Sequence, residues 1–297
     1  MAQILTHETD FPHTPTGTQI PQSLREIRSL IWFRDFVIDW TIIVAAFVIF
    51  AALHSPFNWL ALPLIILIIG ARQHALGLLA HDAVHRLAFR NRTLNMIVAE
   101  VFIAWPLFIV LKNGYQPWHF DHDRGLGSDH DPEIDYRGGR PYSGRVTWRK
   151  IMRCFVLDLM GCGSLDLLNF MRLILPYKHF VMLLGPIAMW LTAVALLSHF
   201  NALWILALWT ASELTAFWAV FRIRAWTEHV SVPLAGKESS HRFDAGPIAR
   251  FFFFPHHTYC HYEHHKWPQI PYYNLPELRK LDTSKPVLCL RELFPIA

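Results

Sequence analysis

The sequence predicts an all-α integral membrane protein, in which four transmembrane helices form two hairpins joined by interfacial helices and covered by a histidine-rich cytoplasmic cap. The first observation is composition: 53% of the residues are hydrophobic and only 17% are charged, whereas a soluble domain carries about 25% charged residues. The second is the presence of four long runs that are almost free of charge. The third is the distribution of Lys and Arg, which avoid the short connectors between those runs.

The four apolar runs are predicted to be membrane spans because a helix needs roughly 20 apolar residues to cross a bilayer. Asp39, Arg72 and Glu213 interrupt the runs, and each is expected to face protein, water or lipid headgroups. The spans are predicted over residues 36–53, 57–80, 180–198 and 201–221.

The basic residues predict the topology, since Lys and Arg mark cytoplasmic loops. Three precede residue 36, thirteen lie between residues 81 and 179, ten follow residue 221, and Arg72 is the one remaining. The connectors 54–56 and 199–200 contain none. Both termini and the middle segment are therefore expected in the cytoplasm, with a bacterial inner membrane as the expected location. The net charge of +4 is explained by this bias and requires no nucleic-acid partner.

Two further segments are predicted to lie at the membrane surface. Residues 94–111 are apolar but contain Glu100 and Pro106, and one more crossing would place the basic middle segment partly outside, so an interfacial or re-entrant segment is expected. Residues 151–175 have apolar residues at helical spacing among charged ones, which predicts an amphipathic helix on the cytoplasmic face.

The chain is predicted to contain one folded domain with short extensions. Residues 1–35 are expected to be a flexible tail and cytoplasmic lead-in, residues 36–285 the membrane domain, and residues 286–297 a C-terminal tail.

Histidines cluster at the predicted cytoplasmic ends of the spans. The motifs are "HDAVH", "HFDHD", "TEH" and "HYEHH". Spacings of three and four residues place side chains on one face of a helix, so the rings of each cluster are expected to converge. The histidines concerned are His81, His85, His119, His122, His229, His261, His264 and His265.

This number of imidazoles predicts a metal centre. Imidazole binds zinc, copper, iron and nickel, and eight ligands exceed the four of a tetrahedral zinc site. The count therefore fits two metal ions that retain open positions. The alternatives are chance clustering and a metal-binding membrane protein without catalysis, such as a transporter. A transporter would place ionisable residues near mid-span, whereas these histidines gather at the span ends.

The ordered motifs resemble those of the membrane fatty-acid desaturase and hydroxylase superfamily, in which histidine boxes bind two irons. HxxxH is followed by HxxH and, much later, by HxxHH. "SDHDPE" resembles the acidic Asp-Pro turn of that family, "RAWTEH" its extra histidine, and "FPHHTYCHYEHHKWPQIPYYNLPEL" its third box and proline-rich tail. The similarity covers roughly residues 36–285.

The resemblance implies that the eight histidines hold two iron ions and that dioxygen is the co-substrate. The second box departs from the family pattern, because Asp123 occupies the position of its last histidine. Asp123 is expected to ligate iron or to orient a neighbouring imidazole; alternatively, His130 takes the place of the missing ligand. Five other residues are candidates for hydrogen bonds to ligands, with packing or solvent-facing charge as the alternative: His74, Asp82, Glu228, His257 and Glu263.

The implied function is an oxygen-dependent desaturase that introduces a C=C bond into an acyl chain or similar amphiphilic lipid. A hydroxylase or ketolase acting on a lipid, a carotenoid or a specialised metabolite is the alternative on the same scaffold. The sequence contains no HPGG haem-binding motif and no GxGxxG after a strand. A separate electron donor of the ferredoxin or cytochrome b5 type is therefore expected.

Overall fold

A computed structural model describes residues 20–133, 146–174, 180–229 and 236–294. Four of its helices are long and apolar enough to cross a membrane, in agreement with the four predicted runs, and a bent helix pair would make a fifth span if it crosses as well. Their arrangement as two hairpins under a cytoplasmic cap stays a prediction, and the predicted tail residues 1–19 and 295–297 lie outside the described residues. The four candidate spans are Ser29–Ala52, Phe57–Val84, Val181–His199 and Leu203–His229.

The four spans differ in what surrounds them. Helix α1 (Ser29–Ala52) exposes apolar side chains such as Val44 and Val48, which are more than half exposed, as expected of a helix that faces lipid. Helix α2 (Phe57–Val84) is the central element, because its second half is buried on all sides. The membrane core therefore forms around the half of α2 that ends at the first histidine pair.

The fourth span is interrupted by a π-helical turn. It consists of α8 (Leu203–Ser212), the π turn Glu213–Phe217 and α9 (Trp218–His229). The turn packs closely on Gly70 of α2, where an added Cβ would lie 2.6 Å from the Cβ of Ala216. Only glycine permits this approach.

The segment predicted as interfacial or re-entrant is a sharply bent helix pair. Its two arms, Arg92–Leu107 and Leu111–Gly125, meet at 90°. The carboxylate of Glu100 holds the bend, since it accepts hydrogen bonds from the backbone N–H of Leu111 at 3.0 Å and the indole N–H of Trp105 at 3.3 Å. Both a re-entrant segment and a broken span have this geometry. The helices within the arms are α3 (Arg92–Ala99) and α4 (Gln116–Gly125).

The single helix predicted over 151–175 is wrong, because two helices occupy the described part of this segment. They are α5 (Trp148–Leu159) and α6 (Ser164–Ile174). Gly161 adopts a φ of 94°, which ends α5. Residue 175 lies outside the described residues. Asp158 ties α5 to α9 through Arg222, with 2.5 Å between its Oδ2 and the Arg222 Nε.

The C-terminal region combines short helices with one pair of parallel strands. Strand β1 (Phe243–Asp244) pairs with β2 (Leu288–Cys289). Residues 288–293, within the predicted C-terminal tail, thus form a strand and a helix in the structure. The other helices are α7 (Leu184–His199), α10 (Pro247–Phe252), α11 (His261–Lys266), α12 (Leu275–Leu281) and α13 (Leu290–Leu293).

Candidate metal centre

The eight predicted histidines come together in two adjoining groups. In the first group, one ring nitrogen from each of four histidines lies within 4.8 Å of the others: His81, His85, His119 and His264. The second group, defined in the same way, is His122, His229 and His265. His261 adjoins the second group, since its Nε2 lies 2.9 Å from that of His229 and 2.8 Å from that of His265.

Helices α4 and α11 each contribute one or more histidines to both histidine groups. His119 and His122 are three residues apart on α4, and one belongs to each group. On α11, the adjacent residues His264 and His265 divide in the same way. The two groups are therefore joined by the same pieces of backbone, and all their rings are largely buried.

The donor set fits transition-metal ions. The Nε2 atoms of His81 and His264 are buried and have no hydrogen-bond partner among the described residues, as expected of nitrogens that serve as metal ligands. Metal–imidazole bonds of about 2.1 Å, the value for zinc, place the ligand atoms of one ion up to about 4 Å apart. The atoms of each group lie within 4.8 Å of one another, so the most distant ones would have to move slightly closer together to bind one ion.

The protonation of these rings also favours metal binding. Burial lowers the pKa of His85 to about 4, although the nearby carboxylate of Asp123 opposes the shift. Burial, together with neighbouring imidazoles, lowers the pKa of His261 and His264 well below the ordinary value. These three rings are therefore neutral at pH 7, and neutral imidazole is the form that binds a metal. His122 differs, because burial alone would lower its pKa but the carboxylates of Glu133 and Asp131 outweigh burial and raise it.

Asp123 lies between the two groups. Its Oδ2 is 3.5 Å from Nε2 of His119 and 3.6 Å from that of His85, and its Oδ1 is 3.2 Å from Nδ1 of His265. Burial alone would raise the pKa of Asp123, but the contact with His265 outweighs burial and lowers it. An ionised carboxylate thus faces both groups. His130 is exposed and belongs to neither group, which argues against its replacing the missing histidine.

Of the five residues expected to contact ligands, only Glu228 has a described contact with one. Its Oε1 lies 3.5 Å from Nδ1 of His261 and accepts a hydrogen bond of 2.7 Å from Arg224. His74 has no hydrogen-bond partner among the described residues.

The other three candidates form hydrogen bonds with residues outside the two histidine groups. Asp82 accepts a hydrogen bond from the backbone N–H of Tyr272, and His257 pairs with the hydroxyl of Tyr259. Glu263 is fully buried, and two arginines donate to it rather than an imidazole.

The sequence prediction missed two acidic residues that contact the candidate ligand His122. Nδ1 of His122 lies 2.8 Å from Oδ1 of Asp131 and 3.4 Å from Oε2 of Glu133. A carboxylate at the second ring nitrogen orients an imidazole and fixes its tautomer. Both residues occur in "SDHDPE", so the acidic character of that motif was the available signal.

We expect Asp131→Asn to weaken metal binding at the second group, because an amide holds the His122 imidazole less strongly than a carboxylate does. Loss of such a partner typically costs 10–100-fold in metal affinity. Iron retention under titration with a chelator measures the effect. Asp121→Asn on α4 is the matched control, since its side chain is 61% exposed. Equal iron retention by Asp131→Asn and the wild type would contradict the assigned role.

A narrow, mostly apolar cavity adjoins the first histidine group. On α2 its lining runs from His81 back to His74, and on the fourth span it continues to Glu213. The cavity therefore extends from the first histidine group into the membrane-spanning part of the protein. Leu107 and Ile103 contribute apolar wall.

The fold and the site define a membrane protein with a buried double histidine centre, and comparison with known proteins identifies its family. The family model described as "Fatty acid desaturase" matches residues 57–286, which is most of the chain. The chain belongs to this family.

The curated relatives have different substrates. Dihydrorhizobitoxine desaturase from Bradyrhizobium elkanii is 32% identical over 105 residues, covering 32% of this chain and 30% of that protein. Beta-carotene 4-ketolase from Protosiphon botryoides is 26% identical over 213 residues, covering 68% and 47%. Sphingolipid delta(4)-desaturase from Candida albicans is 27% identical over 138 residues, covering 44% and 37%. The matched regions thus span about half or less of each relative's length.

Proposed function

We propose that this protein is an oxygen-dependent di-iron desaturase that introduces a C=C bond into an acyl chain or similar amphiphile. The observation that carries the proposal is the pair of buried histidine groups beside an apolar cavity. The family match supports the same reaction class.

The proposed ligands divide between two irons. His81, His85, His119 and His264 would hold one, and His122, His229, His261 and His265 the other. Asp123, which faces both groups, would ligate iron or orient His265. When bound, the iron pair supplies the reduction of dioxygen and the removal of hydrogen from an unactivated carbon. Two hydrogens leave adjacent carbons, dioxygen becomes two waters, and a ferredoxin or cytochrome b5-type donor and the solvent provide two electrons and two protons.

Residues of the cavity wall would position the substrate and exclude water from the site. Leu78, Ile103 and Leu107 line the cavity beside His81 and would hold a hydrocarbon segment next to the first histidine group. The substrate carbon that lies next to the first histidine group would be the one that reacts, because holding a reactant in the correct orientation greatly increases the reaction rate. Asp131 and Glu228 keep two of the rings oriented.

A ketolase or hydroxylase is the second candidate function. Two beta-carotene 4-ketolases align over 68% of this chain, whereas the dihydrorhizobitoxine and sphingolipid desaturases align over 32% and 44% of it. The same site would then insert oxygen instead of only removing hydrogen.

Product mass tests the proposal. The protein would be expressed in a host that supplies a ferredoxin or cytochrome b5 with its reductase, and lipids and small amphiphiles would be analysed by mass spectrometry. We expect a new product that lacks two hydrogens. A product that has gained oxygen would favour the hydroxylase or ketolase, and no new product from folded, iron-loaded protein would contradict both.

A further inference from the structure

Two buried side chains in the cavity have unused hydrogen-bonding atoms. His74 is 2% exposed, and neither of its ring nitrogens has a hydrogen-bond partner among the described residues. Trp218 is 3% exposed, and within the same part of the chain its indole N–H has no acceptor. Both residues line the cavity that adjoins the first histidine group.

The two side chains border the same pair of phenylalanine rings. Phe217 and Phe221 are stacked in parallel, and the ring of His74 lies 6.1 and 6.3 Å from them. The ring of Trp218 lies 5.3 and 5.4 Å from the same pair. The buried carboxyl group of Glu213, at the start of the π turn that presents Phe217, also lines the cavity.

Packing alone does not account for these atoms, since nearly all buried polar groups form hydrogen bonds. Other tryptophans in the same membrane core do so: the indole N–H groups of Trp32, Trp190 and Trp209 each donate to a backbone carbonyl at 3.0–3.2 Å. A cavity that accepts only hydrocarbon would have apolar residues throughout. Ligand cavities, in contrast, combine apolar walls with a few polar groups that fix the ligand.

We propose that the cavity selects a substrate chain that carries a hydroxyl group, rather than an unsubstituted acyl chain. This inference rests on the proposed function, because it concerns the substrate of the same site. A neutral imidazole offers one acceptor and one donor, and an indole offers one donor. A hydroxyl group can donate to a ring nitrogen of His74 or accept from the indole N–H of Trp218. His74 precedes His81 by seven residues, so the hydroxyl lies about 10 Å from the first histidine group along α2.

Binding in the absence of turnover tests this selection. The full chain would be placed in lipid nanodiscs without reductant, and Kd would be measured by equilibrium dialysis for octadecanoic acid and for a series of its monohydroxy isomers. We expect at least one isomer to bind about tenfold more tightly than octadecanoic acid, because a site built for a hydroxyl group rejects the analogue that lacks it. His74→Leu and Trp218→Phe should each reduce that ratio to within about twofold.

Leu107→Met is the matched control, since it changes an apolar part of the same wall. It should alter both affinities together and leave the ratio unchanged. Trp218→Phe preserves most of the packing if His74→Leu does not fold. The inference is overturned if the wild type binds octadecanoic acid as tightly as every isomer, if no probe binds, or if the preference persists in both variants.

These outcomes are separate from a failure of the proposed function. Binding requires no electron donor, so a protein that prefers hydroxylated chains but forms no product would contradict only the proposed function. A protein that desaturates unsubstituted chains and shows no binding preference would contradict only the inference about the hydroxyl group.

Discussion

Replacing His264 by alanine is expected to abolish product formation and to lower the iron content of the protein. The ring nitrogen of His264 lies with those of His81, His85 and His119, and no other described histidine is placed to substitute for it. Loss of a residue that only supports a ligand costs 10–100-fold, so loss of the ligand itself should cost at least about a hundredfold in product formation. Metal analysis of purified protein and product yield measure the two effects.

His130→Ala is the matched control, because it removes an imidazole that is exposed and belongs to neither group. It should retain both iron and product. If the His264→Ala protein retained its product, the assignment of that histidine as a ligand would be wrong.

Replacing Glu263 by glutamine should destabilise the protein by about 3–5 kcal/mol, the usual result of removing one partner from a buried ion pair. Glu263 is fully buried and accepts hydrogen bonds of 2.6 Å from Arg242 and 2.9 Å from Arg279. The glutamine would leave two guanidinium groups without their counter-charge. Thermal unfolding in detergent measures the loss of stability. Because Glu263 lies between His261 and His264 on α11, iron retention should fall as well.

Glu277→Gln provides the comparison for this variant. Glu277 pairs with Lys280 at 2.7 Å, but both side chains are more than half exposed, and such pairs contribute about 0–1 kcal/mol. Its unfolding temperature should remain close to that of the wild type. Equal stability of the two variants would show that the buried network contributes little.

Local sequence patterns predicted the metal-ligand candidates because those patterns are short. His81 and His85 are four residues apart, and the pair ends a long apolar run, so both the shared face and the position at the end of a span could be inferred. The same spacing argument placed His119 and His122 on one helix face at the site, although each of them belongs to a different histidine group. The apolar runs likewise predicted four helices, because hydrophobic length alone specifies a span.

The parts that the sequence did not predict depend on contacts between distant residues. Glu263 was a candidate for contact with an imidazole or for a solvent-facing charge, but it is buried and accepts hydrogen bonds from Arg242 and Arg279, which come from other elements. The break after α5 depends on Gly161, whose left-handed backbone has no signature in the apolar periodicity. The unpartnered nitrogens of His74 could be recognised only once their surroundings were known.

The pairing of β1 with β2 connects the C-terminal end of the described residues to α11, the helix that carries three of the histidines. Arg242 immediately precedes β1. Its backbone carbonyl accepts a hydrogen bond from the N–H of Leu288 in β2, and its guanidinium donates to the carboxylate of Glu263. A displacement of this strand pair would therefore act on α11 through Arg242 and also through Arg279, which donates to the backbone carbonyl of Phe243 and to Glu263. Such a displacement would reach the helix that carries His261, His264 and His265 without a large conformational change.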